Sequence, residues 1–120
     1  MEEQVRAAVE LYVTGVSTND PAVVMRAFND DAVMWGYLGP ELVSQSARSF
    51  AEHVVATAPP PDPEYAHEIH GIMITGDIAT AVLDEWSYLG SDFRNHLGLV
   101  RVEGVWRIVS KVFTTLERAR

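Results

Sequence analysis

The chain contains no cysteine. That excludes disulfides, thiolate metal sites and cysteine nucleophiles together, and it fits a reducing cytoplasm. Basic residues are scarce: nine Lys and Arg stand against 17 Asp and Glu, giving a formal net charge of -8. Nucleic acid and anionic membrane surfaces both require Lys/Arg-rich faces, so neither is expected as a partner. No apolar run reaches the ~20 residues that a membrane-spanning helix needs. The opening stretch MEEQVRAAVELYV is acidic and amphipathic rather than basic and then apolar, so it reads as part of the fold and not as a signal peptide. A phosphate-binding glycine loop and a Gly-x-Ser-x-Gly elbow are both missing. Of the histidines, His53 falls on a helix surface, His67 and His70 have opposite parity on one strand, and His96 stands apart. None pairs with another at metal-binding spacing beside a carboxylate, so no metal and no cofactor is expected.

What is present is ordinary for a folded domain. With 120 residues, 48% hydrophobic and 22% charged, the chain reads as one domain over residues 1–120 with a single core. Glu2 to Val16 reads as a helix, with Val5, Val9, Tyr12 and Val16 at helical spacing on one stripe. Asp20-Pro21 is a helix start, because Asp caps and Pro at the first position lacks only an N–H that has no helical partner anyway. The second helix runs to about Phe28, and Asn29-Asp30-Asp31 reads as a turn before a short strand, Ala32 to Tyr37. Leu38-Gly39-Pro40 reads as a loop, and Ser44 or Ser46 as the cap of a third helix reaching about Thr57. The proline-rich connector Pro59 to Pro63 fits neither a helix nor a strand interior. Four strands follow, Tyr65 to Thr75 with Gly71 as a bulge, Ile78 to Leu89, Asp92 to Val102 and Val105 to Thr115, joined by tight turns. Three helices followed by a meander give an α+β domain in which a curved, mostly antiparallel sheet carries the helices over its concave face.

This order, ending in the strand Gly104 to Phe113 with its Trp-x-Ile pattern, resembles the nuclear transport factor 2-like superfamily, and within it the SnoaL-like proteins and the family labelled "putative lumazine-binding". The resemblance spans essentially the whole chain. It implies a cone-shaped sheet round a small-molecule pocket, and a homodimer formed through the sheet. The stretch from Leu11 to Gly39 is also similar to ketosteroid isomerase, whose chemistry needs a carboxylate base and two oxyanion donors. Carried over position by position, the tyrosine donor falls on Tyr12, the base on Gly36 and the second donor on Asn95. Glycine moves no proton, so the resemblance fails at the centre of that mechanism. Asn95 donates a hydrogen bond at any pH.

Other residues are candidates to replace the missing base. Strand alternation puts Val82, Asp84, Trp86 and Tyr88 on one face, which the isomerase similarity turns toward the cavity. A carboxylate there needs a partner, and Lys111, sharing a face with Val109 and Phe113, is the expected one. Tyr12 is either a core tyrosine or a pocket donor, Asn95 a donor or a cap, and Trp86 a pocket wall or a core residue. Asp84 and Lys111 are a pocket pair or ordinary surface charges. Trp106 belongs to the core, and Trp35 points away from the cavity. The reading that results is a binding domain for an apolar or aromatic molecule with a carbonyl or anionic group. Tyr12, Asn95 and Lys111 supply its polar contacts, and Phe50, Trp86 and Phe113 its walls. Two alternatives stay open. One is an isomerase, dehydratase or cyclase in which Asp84 moves the proton and Tyr12 and Asn95 hold the oxyanion. The other is a dimerisation or protein-interaction module with a filled pocket.

Overall fold

The computed structural model describes residues 1–117. It begins with α1 (Glu2–Ser17) and α2 (Pro21–Ala27), followed by the hairpin β1 (Phe28–Leu38) and β2 (Glu41–Ser46). Next come α3 (Ala47–Phe50), extended by a π-helical turn over Ala51–Val55, and the meander β3 (Ala66–Thr75), β4 (Ile78–Tyr88), β5 (Ser91–Val102) and β6 (Val105–Leu116). The six strands form one sheet in the order β2-β1-β6-β5-β4-β3. All neighbours are antiparallel except β1 and β6, whose parallel pairing joins the two ends of the chain. The helices cover one face of this curved sheet, so the class is α+β, with a single hydrophobic cluster between the layers. Among the described residues, no helix is long and apolar enough to cross a membrane.

The helices form where local chemistry directs them. Val5, Val9, Tyr12 and Val16 are all buried on one stripe of α1, each valine worth about 1.5–3 kcal/mol on transfer from water. The Asp20 side chain accepts from the Val23 amide at 3.2 Å and Pro21 opens α2. Ser46, one of the two expected caps, accepts from the Ser49 amide at 3.0 Å and starts α3.

Two local expectations are corrected. Asn29-Asp30-Asp31 does not turn the chain, because β1 begins at Phe28 and runs through it. The pairing with β6 breaks there instead: Phe28 lies opposite Ile108, and the next aligned pair is Val33 with Ser110. The three polar residues occupy that irregular stretch. The segment after Gly39-Pro40 is not the approach to a helix. It returns as β2, in register from Leu38–Glu41 to Val33–Ser46. This edge strand has only half-buried side chains at its inward positions, so its sequence ELVSQS carries no clear period-two signal. Along β3 the expected irregularity at Gly71 falls where the pairing shifts between His70 and Met73.

Candidate functional site

Which side chains face the helices is set strand by strand. On β4 these are Ala79, Ala81, Leu83 and Glu85, all buried. Val82, Asp84 and Trp86 therefore point to the other, outer face, contrary to the parity expected from sequence. Tyr88 does return to the inner side, because Ser87 adopts a positive φ of 59° and the β4–β5 pairing skips between Glu85 and Tyr88. On β6 the pairing shifts between Gly98 and Leu99 of β5, after which Lys111 and Phe113 face inward. On β1, Met34 and Gly36 face inward, and Trp35 is 52% exposed on the outside. Trp106 is buried in the core.

At the open end of the cone these inward residues leave a cavity of about 110 Å³. Its walls are mostly apolar, including Met34, Phe50, Val54, Phe93 and Phe113, with Leu38, Val43 and Leu89 among the others. The only charged groups on its lining are Glu85 and Lys111. A larger groove of about 500 Å³ lies between the end of α1, the proline connector and the β4–β5 turn, and Asp62 is the sole charge on its lining. The chemistry is concentrated in the smaller space.

Lys111 is almost fully buried, and its Nζ donates to the Tyr12 hydroxyl at 2.7 Å. The same nitrogen stands 5.0 Å from the centre of the Tyr12 ring, 4.8 Å from Phe50 and 5.1 Å from Phe113. Three aromatic faces thus substitute for solvent round one ammonium. Among the described residues, no carboxylate lies within ion-pair distance of it. Burial holds the Lys111 ammonium down to about 8, with the Glu85 charge pulling the other way. Burial likewise pushes the Tyr12 hydroxyl well above its ordinary range, and the Glu85 charge adds to that push.

Glu85 was absent from the sequence-based candidates. It is 0% exposed, and its carboxylate accepts from the Tyr65 hydroxyl at 2.8 Å and from Asn95 Nδ2 at 2.9 Å. Asn95 Nδ2 also donates to the Leu83 carbonyl at 2.9 Å, so Asn95 lies behind the carboxylate and neither caps nor turns. The Tyr88 hydroxyl is buried beside the cavity with no hydrogen-bond partner among the described residues, and burial pushes its pKa upward, helped by Glu85.

The expected Asp84–Lys111 pair does not form, because the two residues lie on opposite faces of the sheet. Asp84 instead takes Arg94 in a two-pronged contact, Nε to Oδ1 at 2.8 Å and Nη2 to Oδ2 at 2.9 Å, with His70 Nε2 at 3.1 Å. Hydrogen bonds from Arg94, and then from His70, outweigh burial and hold its carboxyl below the ordinary Asp value. That is the direction opposite to what a proton-accepting base near neutral pH requires. Trp86, 36% exposed on the same outer face, is no wall of this cavity. Of the residues singled out from sequence, the structure brings Tyr12, Phe50, Lys111 and Phe113 together, but only Phe50, Lys111 and Phe113 line the cavity; Tyr12 is fully buried off the lining, and Asn95 sits behind Glu85. His67 faces α1 and meets Glu10, while His70 faces outward, so the two do not converge. Among the described residues, no cluster of His, Cys, Asp and Glu forms a metal-binding group.

The comparisons agree with this architecture. A crystal structure of an NTF2-like protein of unknown function from Silicibacter pomeroyi DSS-3 is 28% identical, with a TM-score of 0.86 over 95% of this chain and 94% of that one. One from Shewanella baltica OS155, likewise described as NTF2-like and of unknown function, is 25% identical, with a TM-score of 0.88 over 98% and 94% of the two chains. A ketosteroid isomerase-like protein from Erwinia carotovora atroseptica shares the fold at 19% identity, with a TM-score of 0.73 over 97% and 96%. No curated protein matches the sequence. The model of the family described as "Putative lumazine-binding" matches residues 1–114, and the chain belongs to that family, within the NTF2-like superfamily.

Proposed function

We propose that this domain binds a compact apolar or aromatic molecule bearing a carbonyl or anionic group, with the polar end on Lys111. The observation that carries the reading is the Lys111 ammonium on an apolar cavity wall, held by a hydroxyl and ring faces and, among the described residues, without a carboxylate at ion-pair distance. A ligand oxygen reaching it gains a charge-assisted hydrogen bond in a water-poor site. The Tyr88 hydroxyl, buried and without a partner among the described residues, is a second polar contact for the same ligand. At about 110 Å³ the cavity is smaller than the roughly 150 Å³ of a dry pocket that holds benzene, so it takes only a small ligand or the polar end of a larger one that extends out of its mouth. Phe50 on its wall is backed by the Tyr12 ring, 6.4 Å away and near-parallel.

Benzoate and a series of smaller carboxylates and ketones, titrated by calorimetry, test this. The expected result is saturable binding of at least one member, weakened tenfold or more in Lys111→Met. Equal affinity in that variant, or no binding by any member, overturns it. A catalytic reading through Asp84 has lost its geometry, since that side chain faces away from the cavity and is engaged by Arg94 and His70.

The homodimer is the second part of the proposal. Val33, Trp35, Tyr37 and Leu42 on β1 and β2, with Val112 on β6, are 46–55% exposed on the outer face of the sheet. They are cross-strand neighbours: Trp35 lies opposite Val112, and Tyr37 opposite Leu42. A contiguous apolar band of this kind fits an isologous contact with a second copy. Sedimentation should give twice the chain mass, shifting to one chain in Trp35→Glu. A monomeric wild type at micromolar concentration removes the idea.

A further inference from the structure

Lys111 is the only lysine in the chain. A protein that places its single primary side-chain amine inside an aromatic box, rather than on the surface, has given up the usual use of that residue. We propose that Lys111 is a carbonyl-directed nucleophile, condensing with an aldehyde or ketone in this cavity to form a Schiff base. The inference rests on the binding reading above and deepens it by naming the ligand class and the bond.

The geometry supports an amine that reaches its neutral form easily. Among the described residues no carboxylate lies within ion-pair distance to hold the ammonium, and the contacts it does make, one hydroxyl and three rings, survive deprotonation in part. A neutral amine keeps one N–H on the Tyr12 oxygen and retains its lone pair. Burial works in the same direction, and a group titrating near 8 leaves about a tenth of the amine neutral at pH 7. The apolar walls stabilise the uncharged carbonyl and the uncharged amine together before reaction.

The steps balance without a co-reactant. The Nζ lone pair forms the C–N bond while the carbonyl π pair moves to oxygen. That oxygen gains a proton and the nitrogen loses one, giving the carbinolamine. The nitrogen lone pair then forms C=N as the C–O bond breaks. The departing hydroxyl takes a proton and leaves as water, and the remaining N–H proton is retained or released. Glu85, the one carboxylate on the cavity lining, stands beyond ion-pair distance of Nζ, so it exchanges these protons through an intervening water. Tyr65 and Asn95 keep its oxygens oriented. A retained proton leaves an iminium, whose charge the Tyr12, Phe50 and Phe113 rings face as they face the ammonium.

Reductive trapping tests this on the intact protein, because the only other primary amine is the Met1 α-amino group. Wild type is incubated at pH 7 with an aldehyde series from acetaldehyde to benzaldehyde and cyanoborohydride. The sites are then read by peptide mass mapping. The expected result is one reduced adduct on Lys111, formed at least as fast as that on the exposed Met1 amine, and slowed by benzoate. A surface lysine would lag the α-amine by more than tenfold at this pH, since its amine is far less deprotonated. Lys111→Arg should label at Met1 alone. Adducts confined to Met1 in wild type that still binds benzoate overturn the nucleophile and leave the binding reading standing. If benzoate does not bind but Lys111 is trapped, the nucleophile stands and the ligand's anionic group falls. If neither occurs, both are overturned.

Discussion

Gly36→Asp destabilises this protein by about 4 kcal/mol or more, and it does not turn it into an isomerase. Gly36 is the position where the similarity to ketosteroid isomerase would put the catalytic carboxylate. It pairs with Phe113 across the parallel β1–β6 contact. A Cβ at Gly36 would collide with the Phe113 carbonyl oxygen and stand 2.5 Å from Cγ of its ring. The volume a base would occupy is filled by Phe113, which also forms one face of the box round Lys111. Two costs add in the variant. Forcing atoms into a packed site costs roughly 1–3 kcal/mol. A carboxylate arriving there without a designed partner adds a desolvation cost of similar or greater size. Gly36→Ala carries the first cost alone and separates the two. Urea unfolding monitored by tryptophan fluorescence gives both numbers, and an Asp variant as stable as wild type would mean that Phe113 moves freely, with no fixed aromatic box. Gly36 and Phe113 are one packed pair: where the isomerase similarity would place a base, this chain has an aromatic wall.

That pair was half legible in the sequence. Glycine at the base position could be read from the residues, but its partner could not, because β1 and β6 are far apart in the chain and nothing local predicts which residues meet. The meander was legible because each of its strands alternates and ends at a tight turn. The β1–β2 hairpin was not, since β2 is a short edge strand with no fully buried side chain. The site was missed by one residue. Asp84 and Glu85 are adjacent on a strand, so one of them had to face the helices. The small apolar series Ala79, Ala81, Leu83 shares parity with Glu85, while Thr80 shares it with Asp84, and that signal pointed to Glu85. Tyr88 seemed to argue for the other parity, but it reaches the inner face only through the irregularity at Ser87, which no local residue preference announces. The count of lysines was also visible from the start. A single lysine in an acidic chain, alternating with aromatic and apolar residues on the last strand, is a stronger pointer to a buried role than strand position alone.

Stability should rise with pH between about 8 and 10, and Lys111 should account for the rise. Its folded-state value of about 8 lies below the ordinary lysine value of 10.5. Below pH 8 both native and unfolded chains carry the ammonium, and the native state bears the full cost of burying it. Between the two values the unfolded chain holds the proton more tightly than the native one, so ∂ΔG/∂pH is positive and the cost is relieved. A gap of this size corresponds to about 3 kcal/mol at most. Tyr12, Tyr65 and Tyr88 set the upper bound of the window. Burial keeps their hydroxyls neutral in the fold, while the unfolded chain ionises them near their ordinary value of 10.0, so stability falls again above it. Glu85 faces the same space, and its charge moderates the Lys111 shift without reversing it. Lys111→Met removes the titrating group and keeps much of the volume. At pH 7 its two effects oppose each other: a buried charge is lost, which is neutral or favourable, and the Tyr12 hydroxyl loses its partner, which costs about 1–3 kcal/mol. The net change at one pH therefore says little, and the slope decides. Urea unfolding at pH 7.5 and 9.5 should show wild type gaining stability over the interval and the variant staying flat. Parallel profiles for the two proteins would mean that Lys111 keeps an ordinary affinity for its proton, with solvent reaching an ammonium that the aromatic box was held to exclude.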